Sequence, residues 1–205
     1  MAKSKKLSDI ERDALDETAN VGAGNASMAL SDLMDKKVNL VLNGVSLIST
    51  DSIEKVVDGP KNLVVGVYAP ISKDISGSMV IVFKKDSAFN MVNAIQGKKG
   101  KRDTVLTKDD EKELKTVGKI ISDSYIQSLN QLLDLKMDFG DLNVLSTFGD
   151  SIIDIIMLGV DPDHKGALYM NTAFSVDKTD IEGEFILILA VKSLDTVLKK
   201  IRSKL

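Results

Sequence analysis

The segment DISGSMVIVF, residues 74–83, is matched in the second half of the chain by DIEGEFILIL, residues 180–189. The two segments share an Asp, an Ile and a Gly at equivalent positions, and the last five positions of both are apolar. A short apolar run bounded by polar and turn residues is typical of a buried strand. The match therefore predicts two related strands, one in each half of the chain.

The similarity extends outward from these strands to a long helical pattern in each half. The first helix begins with a capping signal at Ser8–Glu11, and the second with one at Thr107–Asp110. Laid on each other, the two helices match Leu15 with Leu114, Leu30 with Leu129, Leu33 with Leu132, and Asp35 with Asp134. The shared order of elements predicts an internally duplicated α/β (α+β) fold with pseudo-twofold symmetry. In this fold, long helices pack on a mostly antiparallel sheet.

The 205 residues are expected to form a single domain of two repeats, about 7–97 and 105–205, joined by a basic linker at 98–104. The expected strands of the first repeat are 37–49, with a break at Asn43-Gly44, then 62–69 and 75–84, joined through Pro70, before a helix at 87–97. The second repeat is expected to carry a strand near 137–145, a helix near 150–158, strands near 167–176 and 181–190, and a last helix from about 193.

The composition excludes several classes of function. Hydrophobic residues make up 43% and charged residues 28%, and the net charge of −3 creates no overall attraction to nucleic acid. The absence of Cys excludes disulfides and thiolate chemistry, and a single His argues against His-based catalysis and multi-His metal sites. The N-terminal lysines are not followed by an apolar run, and no apolar stretch reaches about 18 residues. We therefore expect a cytoplasmic protein without membrane insertion.

Two local features suggest other functions. The basic cluster Lys98, Lys99, Lys101 and Arg102 could contact nucleic acid, but no aromatic residue stands beside it for base stacking, and we interpret it as a solvated linker. The segment Asp161–His164 contains possible metal ligands, but acids around a Pro are more typical of a turn. We expect neither nucleic-acid binding nor a metal site of the chain's own.

Helical spacing divides the first helix into two faces. The predicted core stripe consists of Leu15, Ala19, Gly22, Ala26, Leu30 and Leu33, flanked by Ala23 and Ala29. The opposite face carries Asp13, Glu17, Asn20 and Gly24, and its edge carries the apolar Ile10, Val21 and Met28.

The polar face can be a docking surface. Gly24 removes a side chain beside Asn20, so that another backbone can approach closely. A carboxylate such as Glu17 can pair with a cation of a partner, and an amide such as Asn20 can both donate to and accept from one water and so fix its direction of attack. The alternative is an ordinary solvated helix face, on which acids and amides are common.

The stretch LDETANVGAGNASMALSDLMDKKVNL, residues 15–40, resembles the first signature helix of the CheC family of chemotaxis phosphatases, to which CheX and the phosphatase domain of FliY are related. The family motif is Asp or Ser, three residues, Glu, two residues, Asn, and then 22 residues to a Pro. Asp13, Glu17 and Asn20 meet the first three requirements, but Asn43 stands at the Pro position.

The second helix departs from the two-site pattern of many CheC proteins. Lys112, Thr116 and Lys119 stand where a second Asp, Glu and Asn would be. The two lysines would repel a lysine of a partner rather than bind it. The resemblance therefore implies one working site per chain and a degenerate second site.

The resemblance implies hydrolysis of the aspartyl-phosphate on a phosphorylated chemotaxis response regulator, CheY. Glu17 would pair with the receiver's own Lys, Asn20 would orient a water in line with phosphorus, and Asp13 would support the docking or the geometry of the helix. The chain would supply no cofactor, since the Mg²⁺ that offsets phosphoryl charge belongs to the receiver domain.

The rival interpretation is a non-catalytic adaptor. Such a protein would hold phosphorylated CheY or regulate the receptor deamidase CheD, which the family resemblance also implies as a partner. Faster loss of the phosphoryl group, as opposed to binding alone, separates the two functions.

Overall fold

The structure is a computed structural model that describes residues 7–48, 62–98, 105–158 and 167–204. Its helices are α1 Asp9–Met34, α2 Lys85–Gln96, α3 Lys108–Leu133, α4 Gly149–Leu158 and α5 Val191–Arg202. Its strands are β1 Val38–Ile48, β2 Leu63–Lys73, β3 Gly77–Lys84, β4 Met137–Phe139, β5 Asn143–Phe148, β6 Ala167–Val176 and β7 Glu182–Ala190. The basic linker beyond Lys98 and the segment Asp161–His164 lie outside the described residues.

The seven strands found in the described ranges form one antiparallel sheet in the order β1-β6-β7-β3-β2-β4, with β5 also paired to β2. This confirms the predicted α+β class. The repeated segments form the central pair β3 and β7, where Val80 pairs directly with Ile186, its equivalent in the alignment of the two copies. The same order results when β3 is exchanged with β7, β2 with β6, and β1 with the pair β4 and β5. The division into two repeats, which accounts for this order, stays a prediction.

Both long helices begin and end in the same way. Each spans 26 residues and starts with a complete capping box, Ser8 with Glu11 in α1 and Thr107 with Asp110 in α3. Each ends on an Asp, Asp35 or Asp134, in the left-handed conformation at φ 48°. Asp tolerates that conformation because its short polar side chain can bond locally. The predicted helix starts agree with the structure.

Helix α1 covers the outer edge of β1, which is an edge strand of the sheet. The Val38 N–H donates to Ser31 Oγ at 2.9 Å, and the Leu40 N–H donates to Ser27 Oγ at 2.9 Å. An edge strand with unpaired N–H groups can pair with other chains, so serine acceptors on a covering helix protect it. These bonds fix the C-terminal half of α1 against the sheet.

The predicted break at Asn43-Gly44 is a bulge within one strand. The register of β1 on β6 shifts between Leu42 and Gly44, and Gly44 has φ 150°, which favours glycine. Without the extra residue, the side chain of Val45 would point away from the core, because successive side chains alternate between the two faces of a sheet. With it, Val45 is 5% exposed.

The strand boundary expected at Pro70 is wrong. Strand β2 continues through Pro70 as far as Lys73. Pro70 lies where the neighbouring edge passes from β5 to β4, so its missing N–H leaves no pairing bond unmade there, and its carbonyl accepts from the Gly140 N–H at 2.9 Å. Because Pro70 offers no N–H to a neighbouring strand at this point, the strand expected near 137–145 is divided into β4 and β5.

The core stripe of α1 is correct except at its C-terminal end. Leu15, Ala19, Gly22, Ala26 and Leu30 are buried, but Leu33 is 39% exposed and Ala29 is also exposed. Near its end the stripe advances four residues a turn, from Ala26 to Leu30 and Met34, which is more than the 3.6 residues of one helical turn. Met34 therefore takes the core position expected for Leu33.

Candidate functional site

The polar face of α1 points away from the core. Asp13, Glu17, Asn20 and Gly24 are all exposed. Residues three or four apart on a helix have Cβ atoms about 5–6 Å apart, so the two carboxylates and the amide form one continuous patch. Apolar side chains border it, with Ile10 57%, Val21 51% and Met28 63% exposed. We call the seven residues the α1 patch.

The two glycines of α1 have different surroundings. A Cβ at Gly22 would meet the Cα atom and ring of Tyr125 in α3 at 3.2 Å, so Gly22 allows the two long helices to pack closely. A Cβ at Gly24 would meet no described atom within 4 Å. Packing therefore explains Gly22 but not Gly24, whose missing side chain leaves open space in the patch beside Asn20.

Asp16, which spacing alone does not single out, joins the patch to the sheet. Its side chain is half-buried between the two faces of α1, and the Val45 backbone N–H lies close enough to act on its carboxylate. Burial raises the pKa of the Asp16 carboxyl, and Asp13 adds to the rise, whereas Arg12 and the Val45 N–H oppose it. Helical spacing places this acid at the border between the buried and exposed faces, but it does not show that Asp16 lies near β1.

Asn43 lies level with the patch, on β1. Two contacts between α1 and β1 bracket it along the strand, Ser27 with Leu40 on one side and Asp16 with Val45 on the other. The helix segment opposite Asn43 is therefore the one between residues 16 and 27, which contains Glu17, Asn20 and Gly24. Asn43 is exposed.

The matching face of α3 has a different surface. Lys119 bridges Asp123 at 2.8 Å, and its Nζ lies 5.6 Å from the ring centroid of Phe139. Thr116 donates to the Lys112 carbonyl at 3.0 Å. Asp123 stands at the position that corresponds to Gly24, so a charged side chain occupies the place that is open in α1. The two faces therefore differ in shape as well as in charge.

The α1 patch can therefore dock a surface and act on it through one carboxylate–amide pair. Its groups can bind a cation and direct a water, which is positioning chemistry rather than covalent chemistry. In the part of the chain that the structure describes, no three His, Asp or Glu side chains are grouped so as to hold a metal ion. None of the helices in the same part has an apolar stretch of the length that a membrane span requires.

Comparison with known proteins gives relatives of one kind. No family model matches the chain. The chain is 23% identical over 133 residues to the CheY-P phosphatase CheC of Bacillus subtilis, a match that covers 64% of each protein. It is 30% identical over 95 residues to the flagellar motor switch phosphatase FliY of the same organism, which covers 46% of this chain and 24% of FliY. The matches thus span less than two thirds of the length of either relative.

Solved structures share the fold along most of the chain. FliY of Thermotoga maritima has a TM-score of 0.77 at 16% identity and covers 97% of this chain and 99% of its own. FliM in a FliG–FliM complex from H. pylori has a TM-score of 0.67 at 13% identity, covering 94% and 100%. A structure of the CheX–CheY–BeF3–Mg²⁺ complex from Borrelia burgdorferi gives 0.56 at 16% identity, covering 85% and 96%.

The chain is therefore similar in sequence to CheC and FliY proteins, and it shares the fold of a FliY structure.

Proposed function

We propose that this chain hydrolyses the aspartyl-phosphate of a phosphorylated CheY-like response regulator. The observation that carries the proposal is the α1 patch, in which an exposed carboxylate and an exposed amide lie one turn apart beside the open space at Gly24. Two curated relatives are by name phosphatases, and one of them acts on phosphorylated CheY. A CheX relative has been solved in complex with CheY.

In the proposed reaction the chain contributes positioning. Glu17 pairs with the Lys beside the receiver's acyl-phosphate, which fixes α1 over that site. Asn20 holds a water in line with phosphorus, and such orientation removes much of the entropic barrier to attack. The Mg²⁺ that neutralises the developing phosphoryl charge belongs to the receiver domain.

The remainder of the patch supports docking. Ile10, Val21 and Met28 are large apolar residues, each more than half exposed. Burying them against a partner removes their apolar surface from water, which favours binding. Asp13 adds a second carboxylate one turn before Glu17. Gly24 lets the partner's backbone approach Asn20.

The adaptor function is the second candidate, and the α3 face favours it. With Lys112, Thr116 and Lys119 in place of a second site, half of the duplicated surface lacks catalytic side chains. FliM middle domains share the fold, and one of them is known in a complex with FliG, so the same scaffold also occurs in a protein assembly. Regulation of the deamidase CheD stays a prediction from the family resemblance.

The test is the decay of phosphorylated CheY-like receiver with and without the protein. We expect the wild-type chain to accelerate decay and Asn20→Ala to lose about 100-fold of that acceleration, since a misplaced reactant can cost that much. Lys119→Ala, at the matching position of α3, is the control and should change the rate less than twofold. An Asn20→Ala variant with near wild-type rates would refute the mechanism. Binding without acceleration by the wild type would establish the adaptor.

A further inference from the structure

The N-terminal halves of the two long helices carry charges of opposite sign at equivalent positions. Wherever α1 and α3 both bear a charge, the signs are opposite, except at Glu11 and Asp110, which both helices need for their capping boxes. The opposite pairs are Asp9 with Lys108, Arg12 with Glu111, Asp13 with Lys112, and Asp16 with Lys115. Helical spacing places the four residues of each helix on one side. We call them the α1 stripe and the α3 stripe.

The two stripes lie too far apart to pair within one chain. Near its end, α5 binds Glu11 at the start of α1 through Arg202, and Asp134 at the end of α3 through Lys200. The start of α1 therefore lies near the end of α3, so the two helices run antiparallel and their stripes are at opposite ends of the helix layer. In the described ranges, no side chain of either stripe forms an ion pair.

The stripes are accessible to another molecule. Most of their members are exposed, namely Asp9, Arg12, Asp13, Lys108 and Lys112, and the others are half-buried. The remaining acids in this half of α3, Asp109 and Glu113, lie outside the stripe by helical spacing.

Helix stability does not account for the charges of the α3 stripe. The aligned peptide dipoles give the start of a helix a partial positive charge, which favours acids there and disfavours lysines. Asp9, the first residue of α1, follows this preference. Lys108, the first residue of α3, opposes it. A contact outside the helix would explain why a lysine stands at this position.

We propose that the α1 stripe of one copy of this chain binds the α3 stripe of a second copy, with the two helices parallel and in register. A second copy fits because the chain itself carries both complementary surfaces. In the parallel orientation every charge of one stripe meets its opposite. An antiparallel pairing would place Arg12 against Lys112 and Asp13 against Glu111, so that like charges would meet.

The contact joins two different surfaces and is therefore head-to-tail. Such contacts build rings or chains of copies rather than isologous dimers. Each copy in the assembly offers a free α1 stripe or α3 stripe to the next until a ring closes.

The contact also covers part of the α1 patch. Asp13 belongs to both the stripe and the patch, and the exposed Ile10 is next to the stripe. A second copy and a phosphorylated receiver would thus compete for α1, and association would lower the turnover per chain. This competition, unlike the contact itself, rests on the proposed phosphatase function.

Sedimentation of the full chain over a range of protein concentrations tests the contact. At about 0.1 M salt, where the Debye length is about 10 Å, we expect the mean mass to rise with concentration beyond that of a dimer. At about 1 M salt, where the Debye length is about 3 Å, the chain should be monomeric. A chain that stays monomeric at the lower salt, or an association that salt does not weaken, would overturn the proposal.

Reversing the charges of one stripe at a time identifies the surfaces. Lys108→Glu with Lys112→Glu makes both stripes acidic, and Asp9→Lys with Asp13→Lys makes both basic. In each variant alone the dissociation constant should rise at least about tenfold, because like charges then face each other. A mixture of the two variants should associate as wild type does, since opposite charges meet again, and unfolded variants could not give this result.

Lys84→Glu with Lys178→Glu is the matched control. It makes the same change in net charge at exposed lysines outside both helices and should associate as wild type does. A mixture that stays monomeric, or an equal loss of association in the control, would overturn the proposal.

Receiver dephosphorylation tests the competition separately. When half of the wild-type copies are associated, turnover per chain should fall about twofold by mass action. Lys108→Glu with Lys112→Glu leaves the α1 patch unchanged and should keep a constant turnover per chain over the same concentrations. If wild type fails to accelerate decay at any concentration, the phosphatase function is wrong, and sedimentation of the charge variants decides the contact.

Discussion

Glu17 is exposed one turn before Asn20, where its negative charge is available to a partner. Reversing that charge in Glu17→Lys should repel the receiver's lysine, and a like-charge contact across an interface costs several kcal/mol. We expect the dissociation constant for phosphorylated receiver to rise at least about tenfold, together with a loss of turnover, as measured by titration calorimetry or fluorescence anisotropy.

Thr116→Lys places the same charge at the corresponding position of α3 and serves as the control, with affinity expected to stay within twofold of wild type. If Glu17→Lys bound the receiver as tightly as wild type does, the ion pair assigned to Glu17 would not exist.

The exposed residues of the α1 patch could be predicted from the sequence because a regular helix fixes which positions share a face. Asp16 could not be predicted in the same way. It lies near Val45, in a different element, and that proximity depends on a one-residue bulge in β1. Such a contact between elements follows from register, which helical spacing does not contain.

At the scale of one helix, Gly24 lowers the stability of α1 and leaves open the space beside Asn20. Gly is about 1 kcal/mol less favourable than Ala in a helix interior, and a Cβ at Gly24 would meet no described atom within 4 Å. Gly24→Ala should therefore raise the free energy of unfolding by about 0.5–1 kcal/mol in urea denaturation. The added methyl group narrows the space beside Asn20, so receiver dephosphorylation should slow in the same variant.

Gly22→Leu gives the opposite result for stability. The introduced leucine side chain would displace Tyr125, whose hydroxyl shares a buried 2.6 Å hydrogen bond with Thr172 of β6. We expect a loss of about 1–3 kcal/mol, the usual cost of overpacking. A Gly24→Ala variant that is stabilised and fully active would show that the glycine is unrelated to docking.

Elements were predictable where local chemistry decides them. The capping boxes at Ser8 and Thr107 mark helix starts by local hydrogen bonds, and Gly97, at φ 64°, ends α2. The strand boundary predicted at Pro70 is wrong because a strand tolerates Pro where no neighbouring strand needs its N–H. Whether this holds at Pro70 depends on the break between β4 and β5, which local sequence does not show. Leu33 was misplaced because packing shifted the buried stripe of α1 at its end.

At the scale of the whole molecule, α5 is tied to the start of α1. Arg202 donates to Glu11 Oε1 through Nε at 2.8 Å and approaches the same oxygen with its terminal nitrogen at 2.7 Å. Glu11 Oε2 accepts the Ser8 N–H at 2.8 Å, so one carboxylate completes the capping box and binds α5. The Glu11 side chain is only 4% exposed. The helix that bears the α1 patch is thereby connected to the far end of the chain.

This connection predicts how stability depends on pH. The Ser8 backbone hydrogen bond lowers the pKa of the Glu11 carboxyl below its ordinary 4.5, and Arg202 lowers it further, although burial opposes them. A carboxyl whose pKa is lower in the folded state contributes stability above the unfolded pKa and loses it as the pH falls through the folded pKa. The contribution should thus be complete above pH 4.5 and decline below it.

Glu11→Gln isolates the charge, since Gln can still accept the Ser8 N–H in a capping box. Above pH 5 it should be less stable than wild type by about 1.5–3 kcal/mol, the typical contribution of hydrogen bonds to a charged group, and the difference should shrink as the pH falls. Asp134→Asn breaks a second ion pair to α5, with Lys200, but Asp134 is 83% exposed, so its loss should change stability little. Thermal unfolding of the three proteins from pH 3 to 7 measures both effects. A constant gap between Glu11→Gln and wild type across that range would mean that packing, and not the Glu11 charge, joins α5 to α1.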